Sequence, residues 1–306
     1  MPVPRIAVGP SSSPFGEDAV RAGGGLPVKL GEPAEAVVWL TASDLDGLAA
    51  VLEDQPEIRW VQFPFAGIED AVGRGLVDER RLWTSAKGSY AEPVAEHALT
   101  LALAGLRLLP ERIRAHTWGA AAGVSLYGAP VTIVGGGGIT EELLRLLAPF
   151  GVEATVVRRQ AVPLPGAART LTTDQLDQAL AGALVVFLAL ALTPETERII
   201  AAPQLAAMAE RAWLINVARG RHVHTEALVA ALQERSIGGA GLDVTDPEPL
   251  PDGHPLWTCP NCIITPHTAD TWDMIMPHLA TRITANVAHF AAGEPLEGLV
   301  DPAAGY

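Results

Sequence analysis

A run of four glycines is the first feature of this 306-residue chain that points to chemistry. Gly135 to Gly138 follow an apolar stretch and open a helical pattern in VTIVGGGGITEELLRLL (131–147). Gly135 and Gly137 match the first two glycines of G-x-G-x-x-G, in which a tight turn brings a pyrophosphate to the backbone amides at a helix N terminus. We therefore predict a dinucleotide site formed by Gly135, Gly137, Gly138, Ile139 and Thr140. For the motif alone, a plain glycine-rich turn is the alternative.

Thr140 stands where this pattern has its third glycine. A glycine at that point normally allows the helix to pack closely on the strand, so the substitution weakens the match. The small size of threonine limits the steric conflict. Its hydroxyl could cap the helix or reach a phosphate.

Two arginines follow the next strand candidate, EATVV (153–157), at the position that selects the nucleotide. An NAD-specific site has an acidic residue there, roughly 20 residues past the glycines, to bind the ribose 2′-hydroxyl. Arg158 and Arg159 would instead attract a 2′-phosphate and could bind it bidentately. We predict a preference for NADP(H), with Arg158 as the main contact and Arg159 in support. NAD(H) remains the alternative, with both arginines as solvated strand-end charges.

Short apolar runs alternate with helical patterns along almost the whole chain. This alternation predicts an α/β protein whose doubly wound parallel sheets are covered by helices on both faces. Strands are predicted at 5–8, 36–40, 59–63, 82–86, 131–135, 153–157, 184–189, 212–217, 239–244 and 262–266. Helices are predicted at 43–54, 139–150, 173–182, 202–210 and 225–235, and two longer ones at 91–118 and 268–293.

The length of the chain and the two long helical segments suggest two domains. Segment 91–118 follows four strand units and is placed to cross into a second domain, while segment 268–293 is placed to return. We predict a discontinuous substrate-binding domain, 1–92 plus 271–306, and a dinucleotide-binding domain, 93–270.

Composition narrows the class of protein. Hydrophobic residues make up 49% and charged residues 18%, and the formal net charge is −14. Such a charge repels nucleic acid and anionic membranes, so neither is an expected partner. The longest apolar run (184–192) is shorter than the roughly 20 residues that cross a bilayer, and the N terminus lacks a signal-peptide pattern. We expect a cytoplasmic protein.

Five motifs then occur in order: TPETERII (193–200), WLINVARGRHVHTEALVAAL (213–232), GAGLDVTDPEPL (239–250), HPLW (254–257) and PNCIITPHTA (260–269). Together they closely resemble the D-2-hydroxyacid dehydrogenase family, the D-isomer-specific NAD(P)-dependent enzymes. The resemblance extends more weakly to 59–70 and 86–99, and so covers most of the chain. It implies two Rossmann-like domains, a flavodoxin-like substrate domain and an NAD(P)-binding domain, and it implies a homodimer.

The resemblance assigns the chemistry to Arg219, Glu248 and His267. Their residue types suit the reduction of a 2-keto acid. An arginine holds a carboxylate or polarises a carbonyl through its forked donors. A histidine can give and take a proton near neutral pH, and a neighbouring carboxylate would favour its charged form and fix its orientation.

The resemblance also places other residues around the two ligands. Asp243 matches a position near the nicotinamide carboxamide, with buried structural support as its alternative, and Thr193 and Ala218 are assigned to the cofactor site. The loop PFAGIE (64–69), with Phe65, Ala66 and Gly67, matches a segment whose amides bind the substrate carboxylate. Arg219 and His267 would share that substrate, and a plain turn is the alternative for the loop.

We therefore expect an oxidoreductase that transfers a hydride between NAD(P)H and the carbonyl of a small 2-keto acid, in the cleft where cofactor and substrate meet. Phosphoglycerate dehydrogenase is an alternative within the class, although we see no appended regulatory domain. Formate dehydrogenase is disfavoured, because that branch has Gln where Glu248 stands. A non-catalytic NAD(P)(H)-sensing protein of the same fold is the alternative from another class.

Two further patterns suggest metal chemistry but lack the required spacing. Cys259 and Cys262 form a CxxC, but no second pair of cysteines or histidines stands at zinc spacing. His222 and His224 precede the helical pattern TEALVAAL and are more typical of a helix start. We predict no metal site.

Overall fold

A computed structural model describes residues 3–301 of the chain. These residues divide into two compact units. Ala91–Asp270 forms the first, which we call the glycine-loop unit. The described residues up to Tyr90 and from Thr271 onwards form the second, the terminal unit.

The secondary structure alternates along the chain. The strands are β1 (Arg5–Gly9), β2 (Leu26–Val28), β3 (Ala36–Trp39), β4 (Trp60–Gln62), β5 (Leu82–Thr84), β6 (Pro130–Val134), β7 (Glu153–Val157), β8 (Arg169–Leu171), β9 (Val185–Leu188), β10 (Trp213–Asn216), β11 (Gly239–Leu242) and β12 (Cys262–Ile264). The α-helices are α1 (Pro14–Ala22), α2 (Leu45–Asp54), α3 (Glu69–Gly73), α4 (Ala91–Leu106), α5 (Leu109–Ile113), α6 (Gly138–Leu147), α7 (Leu176–Leu180), α8 (Ala202–Ala207), α9 (Thr225–Gln233) and α10 (Trp272–Ala292).

The terminal unit contains a five-stranded parallel sheet in the order β2-β1-β3-β4-β5. This is the flavodoxin-like order. Its core is rich in aromatic side chains, and the rings of Phe63 and Trp83 stack with their centroids 5.7 Å apart. Helix α10 packs against α1. The described residues after 270 therefore belong to the same compact unit as the described residues before 91.

The glycine-loop unit contains a seven-stranded parallel sheet in the order β12-β11-β10-β9-β6-β7-β8. The strand order reverses between β6 and β9, and ligands bind beyond the carboxyl ends of the strands at such a switch point. Both sheets are parallel and alternate with helices, which confirms the predicted α/β class. In residues 3–301, no helix combines the length and apolar character needed to cross a membrane.

The long helix predicted at 91–118 was wrong in its second half. Helix α4 ends at Leu106, Leu108 adopts a left-handed conformation (φ 54°), and the short helix α5 starts at Leu109. Pro110 explains the break, because proline has no N–H for an intrahelical bond and its ring clashes with the preceding turn. After α5 the chain is largely irregular as far as β6.

The sequence analysis also missed the weakest elements. Strands β2 and β8 have three residues each, lie at the edges of their sheets and are partly exposed, so neither shows a continuous apolar run. Helix α1 begins with Pro14 after the N-cap Ser13, whose hydroxyl accepts a hydrogen bond from the Gly16 amide at 3.3 Å.

Candidate active site

The glycine run forms a tight loop between β6 and α6. Gly135 has a φ of 127°, and a Cβ there would lie 2.0 Å from the carbonyl oxygen of Ala189. A side chain at 135 is therefore excluded by both conformation and space. A Cβ on Gly137 would meet open space, and Gly137 caps α6 without any side-chain hydrogen bond. The first amides of α6 thus remain available to an anion, as a dinucleotide site requires.

Thr140 does not cap α6. It is fully buried in the first turn of the helix, and its hydroxyl oxygen has no hydrogen-bond partner among the described residues. The cap suggested from the sequence is therefore wrong, because Gly137 occupies the N-cap position. A buried, unpaired hydroxyl is destabilising.

Arg158 lies directly beside the glycine loop. It follows β7, and its amide donates to the Leu171 carbonyl at 3.0 Å. A Cβ on Gly136 would lie only 2.7 Å from the Arg158 Nε atom, so the guanidinium group packs against the bare backbone of the loop. Arg159 is the next residue and is exposed. A positive charge thus lies beside the predicted phosphate site.

Arg219 lies in a narrow turn after β10. The Asn216 side chain spans this turn, because its Oδ1 accepts from the Ala218 amide at 3.0 Å and its Nδ2 donates to the Arg219 carbonyl at 2.8 Å. A Cβ on Gly220 would lie 1.9 Å from the Thr245 carbonyl oxygen, so the loop after β11 presses on the turn. Arg219 itself is partly exposed at the carboxyl edge of the sheet.

Glu248 and His267 form a hydrogen-bonded pair. The Nδ1 atom of His267 lies 2.6 Å from Oε1 of Glu248, and both side chains are about two-fifths exposed, at 43% and 41%. The Thr245 amide donates to the other Glu248 oxygen at 3.4 Å. With Nδ1 held by the carboxylate, Nε2 is the ring nitrogen that can exchange a proton with a substrate.

The backbone at His267 is strained. Its φ is 52°, in the left-handed region that non-glycine residues rarely adopt. Two carbonyl groups hold it there, because the His267 amide donates to Asp243 at 2.8 Å and to Thr265 at 3.0 Å. Strain of this kind persists where the surroundings fix the backbone, and it is concentrated at active sites.

Asp243 is the buried anchor of the His267 loop. Its Oδ1 accepts from the Thr265 hydroxyl at 2.6 Å and the Thr268 amide at 2.9 Å, and its Oδ2 accepts from the Ala269 amide at 3.0 Å. Burial alone would raise the pKa of this carboxyl, but hydrogen bonds from His97, Thr265 and the two amides outweigh it and lower the pKa to about 2. These contacts favour structural support over a carboxamide contact.

Three residues near this anchor were missed by the sequence analysis. His97 on α4 contacts both Thr265 (Nε2 to Oγ1, 2.9 Å) and Asp243 (Nε2 to Oδ1, 3.4 Å). Asp270 lies within electrostatic range of Asp243, His267 and Arg219, and burial raises its pKa. Thr265 and Asp270 belong to the same short segment as His267, so proximity in sequence was the available signal. His97 had no such signal, because it lies 168 residues before Thr265.

The predicted carboxylate-binding loop lies in the terminal unit, between β4 and α3. The ring of Phe65 stacks on Phe63 with centroids 5.0 Å apart, and its carbonyl accepts from the Ala86 amide at 2.9 Å. Tyr90 donates its hydroxyl to the Pro64 carbonyl. The amides of Ala66 and Gly67 donate no backbone hydrogen bond to another described residue. The loop is thus fixed on both sides and keeps two donors for an anion.

The side chains of the two patterns that suggested metal chemistry are buried or make other contacts. Cys259 and Cys262 are both buried free thiols, and burial raises the pKa of each, that of Cys262 to about 12. His224 caps α9, and its Nδ1 accepts from the Ala227 amide at 3.3 Å. Residues 3–301 contain no cluster of three side chains able to hold a metal ion.

A groove of about 820 Å³ lies elsewhere on the glycine-loop unit. It is lined by α4, α5 and the irregular segment 118–122, and includes Arg107, Arg112 and Trp118. Trp118 is 99% exposed and Ile113 is 80% exposed. The groove does not include the Glu248–His267 pair, so it is not the reaction site.

Comparisons with known proteins agree with this geometry. A family model described as D-isomer specific 2-hydroxyacid dehydrogenase, NAD binding domain, matches residues 97–269. A Corynebacterium melassecola protein described only as uncharacterized is 40% identical over 85% of this chain and 88% of its own. The human glyoxylate reductase/hydroxypyruvate reductase is 34% identical over 67% of this chain, which spans 65% of the human enzyme. A crystal structure of a D-isomer specific 2-hydroxyacid dehydrogenase from Xanthobacter autotrophicus Py2, in complex with NADPH and MES, superimposes with a TM-score of 0.87, at 27% identity and full coverage of both chains.

Proposed function

The chain belongs to the D-isomer-specific 2-hydroxyacid dehydrogenase family, and from this we propose that it reduces a small 2-keto acid with NADPH. Membership makes the protein an NAD(P)-dependent oxidoreductase that transfers a hydride between the nicotinamide and the carbonyl carbon of a 2-keto acid. One observation supports placing the reaction at this site. The Nδ1 atom of His267 lies 2.6 Å from the Glu248 carboxylate, beside the turn of Arg219.

The residues of this chain supply binding and a proton. Arg219 holds the substrate carboxylate with its forked donors, and NADPH, when bound, would supply the hydride. His267 donates its Nε2 proton to the carbonyl oxygen as the alcohol forms. Glu248 accepts the Nδ1 proton in a hydrogen bond and thereby holds the ring in one orientation. One keto acid, one hydride and one proton give one 2-hydroxy acid and oxidised cofactor.

We assign the substrate carboxylate a second set of donors in the loop of Phe65, Ala66 and Gly67. The support is that this loop is fixed by Ala86 and Tyr90 and retains the amides of Ala66 and Gly67. Small substrates such as glyoxylate and hydroxypyruvate fit the proposal best, because the human relative is named for them.

The preference for NADPH rests on Arg158. Its side chain lies against Gly136, where it faces the phosphate loop rather than bulk solvent alone. A guanidinium at this point binds a 2′-phosphate through paired hydrogen bonds and does not discriminate in favour of a bare ribose. The relative from X. autotrophicus carries NADPH in its crystal structure.

We also propose that the groove of Arg107, Arg112 and Trp118 is covered by a second copy of the chain. The support is that Trp118 is 99% exposed at the edge of the groove, beside Arg112 in its lining, and that tryptophan and arginine are typical of interface centres. Light scattering after size exclusion should give a dimer, and Trp118→Ser should shift it towards the monomer. A monomeric parent at micromolar concentration would reject this proposal.

One assay tests the central proposal. Glyoxylate, hydroxypyruvate, phenylpyruvate and 3-phosphohydroxypyruvate are supplied in turn with NADPH and NADH, and loss of the reduced cofactor is followed. We expect turnover of at least one small keto acid, faster with NADPH. Activity confined to the phosphorylated substrate would instead indicate a phosphoglycerate dehydrogenase. Tight NADPH binding without turnover of any keto acid would indicate a sensing protein.

A further inference from the structure

His222 is a buried histidine directly beneath the turn of Arg219. It ends the single 3-10 turn Gly220–His222, and its exposure is 0%. The imidazole makes main-chain contacts on both edges. Its Nδ1 lies 3.2 Å from the Arg219 amide nitrogen, and its Nε2 lies 3.3 Å from the Ala191 carbonyl oxygen. The ring therefore bridges the loop after β10 and the loop after β9.

The partners of the ring determine which nitrogen carries the proton. The Ala191 carbonyl can only accept, so Nε2 must be the protonated atom. In the neutral ring, Nδ1 then carries no proton, and its lone pair can accept the hydrogen bond that the Arg219 N–H donates. The Arg219 carbonyl also lies 3.1 Å from Nδ1, but it already accepts from Asn216 Nδ2 at 2.8 Å and from the His222 amide at 3.2 Å. This arrangement leaves each group paired, as buried polar groups require.

The loop that His222 grips is itself tied to the Arg219 segment. The Arg198 amide donates to the Arg221 carbonyl at 2.8 Å, and the Ile200 amide donates to the His222 carbonyl at 3.0 Å. Thr196 donates its hydroxyl to the same Ala191 carbonyl at 2.8 Å. Thr193, assigned to the cofactor, lies in this loop. His222 thus connects the cofactor loop to the substrate arginine.

We propose that His222 is a positioning residue for Arg219, and that its lone pair on Nδ1 fixes the main chain from which the guanidinium reaches the substrate carboxylate. It touches neither substrate nor cofactor. The inference rests on the role proposed above for Arg219. It goes further by naming a buried group that determines how tightly the keto acid is held.

Three substitutions of His222 distinguish the effect of the acceptor on Nδ1 from the effect of filling the buried space. His222→Asn keeps an oxygen near the position of Nδ1, and so an acceptor for the Arg219 amide, but cannot reach Ala191. His222→Gln also offers an acceptor to the Arg219 amide, because glutamine at the corresponding position of two other turns accepts from the first amide: Gln175 from Thr172 and Gln204 from Ala201, each at 3.3 Å. His222→Val removes both contacts. His224→Asn is the matched control, because asparagine preserves the cap of α9 two residues further on.

We expect KM for the keto acid to rise about tenfold in the Val variant, because an unpaired amide loosens the turn. Its kcat should stay within about threefold, because Arg219 holds the carboxylate alike in the ground and transition states. His222→Asn, His222→Gln and His224→Asn should keep a KM close to the parental value. Asn and Gln variants as impaired as the Val variant, or a Val variant with the parental KM, would overturn the proposal.

A second measurement does not depend on turnover. Amide hydrogen exchange in the peptide that contains Arg219 should be faster than in the parent for Val, and parental for Asn and Gln. Equal exchange in all three variants would refute the positioning role even if no keto acid were ever reduced. If the parent lacks turnover but the exchange pattern is as expected, the proposed reaction fails and the role of His222 in holding the turn stands. Should the valine variant not fold, His222→Leu replaces it, because leucine is closer in size to the imidazole and likewise offers no acceptor.

Discussion

Two parts of the glycine-loop unit achieve their geometry by opposite means. The phosphate end, Gly135 to Gly138 with Arg158, is shaped by the absence of side chains. A Cβ at 135 would overlap the Ala189 carbonyl, and a Cβ at 136 would overlap the Arg158 side chain. The reaction end, Arg219 with Glu248 and His267, is shaped by side chains on three loops, and buried polar groups hold two of them: Asn216 holds the Arg219 turn and Asp243 holds the His267 loop.

The two ends differ in which residues a substitution must affect to impair function. At the phosphate end the requirement is local, so it is visible in a short pattern of glycines. At the reaction end the acting groups are partly exposed, and their positions depend on Asp243, Asn216 and His222, which are buried. Substitutions there should act at two levels, on the reaction itself and on the groups that hold it in place.

The largest effect is expected at the proton donor. In His267→Gln the ring is replaced by a side chain that cannot deliver a proton, so kcat should fall by about 10³-fold. The dissociation constant for NADPH, measured by fluorescence, should change little, because the phosphate end is untouched. A kcat within a few-fold of the parent would show that another group protonates the product.

Arg219→Ala should act mainly on substrate binding. Loss of a charged, two-pronged contact should raise KM for the keto acid by about 100-fold, and Arg219→Lys should recover only part of it because an ammonium cannot form the paired contact. Unchanged kinetics in the alanine variant would remove Arg219 from the site. Arg221, which pairs with Glu197 at 2.8 Å on the surface, is the matched control, and Arg221→Ala should keep the parental KM.

Substitution of Asp243 should change both the stability of the protein and the dependence of that stability on pH. Its pKa is lowered from 3.8 to about 2, so its contribution is present above pH 4 and is lost as the pH falls through 2. That shift corresponds to on the order of 2 kcal/mol of unfolding free energy. Asp243→Asn should therefore be less stable at pH 7 and lose less stability in acid, as measured by denaturant unfolding between pH 7 and pH 3.

The pKa of Asp270 is shifted in the opposite direction to that of Asp243, so Asp270 serves as the comparison. Burial raises its pKa, so its charged form is disfavoured in the folded state at neutral pH. Asp270→Asn should accordingly be neutral or stabilising at pH 7. Equal destabilisation by both asparagine variants would mean that the two carboxyl groups do not differ as described.

The same contrast explains how far the sequence could predict this protein. The ten strands read from apolar runs all exist, because buried parallel strands need continuous apolar residues. The Gly135 turn follows from a motif with a steric cause. The break at Leu108 was missed because the apolar pattern continues through Pro110, and the left-handed conformation of His267 cannot be recognised in a residue that rarely adopts it.

The buried supports were harder to predict for a different reason. His97 and Asp243 are far apart in sequence, and their contact exists only once α4 packs beside β11. His222 resembled a helix-start residue, and only its burial shows that its ring serves the Arg219 turn. Patterns along the chain reveal local requirements, whereas polar contacts between distant loops arise from the packing.

Arg158→Asp tests whether the phosphate end also depends on a side chain. A carboxylate beside Gly136 would repel a 2′-phosphate and accept a hydrogen bond from a ribose hydroxyl. The ratio of kcat/KM for NADPH to that for NADH should fall by roughly 10- to 100-fold. A parent that uses NADH equally well, or a variant with an unchanged ratio, would contradict the proposed cofactor preference.

The smallest effect is expected at Thr140, where the phosphate end departs from its pattern. Its hydroxyl is buried without a partner among the described residues, so exchanging it for a methyl group of similar shape removes a desolvation penalty at little steric cost. Thr140→Val should therefore stabilise the protein by about 0.5–1 kcal/mol, a rise of about 1–2 °C in Tm. Thr132 is the matched control, because it is equally buried but donates its hydroxyl to the Ala179 carbonyl at 2.5 Å. Thr132→Val should destabilise by about 1–3 kcal/mol, since it leaves that carbonyl unpaired.

The affinity for NADPH shows whether the Thr140 hydroxyl also contacts the cofactor. If the hydroxyl lies away from the pyrophosphate, the valine variant should bind NADPH as the parent does. A weaker complex would show that the hydroxyl of Thr140 reaches a phosphate after all.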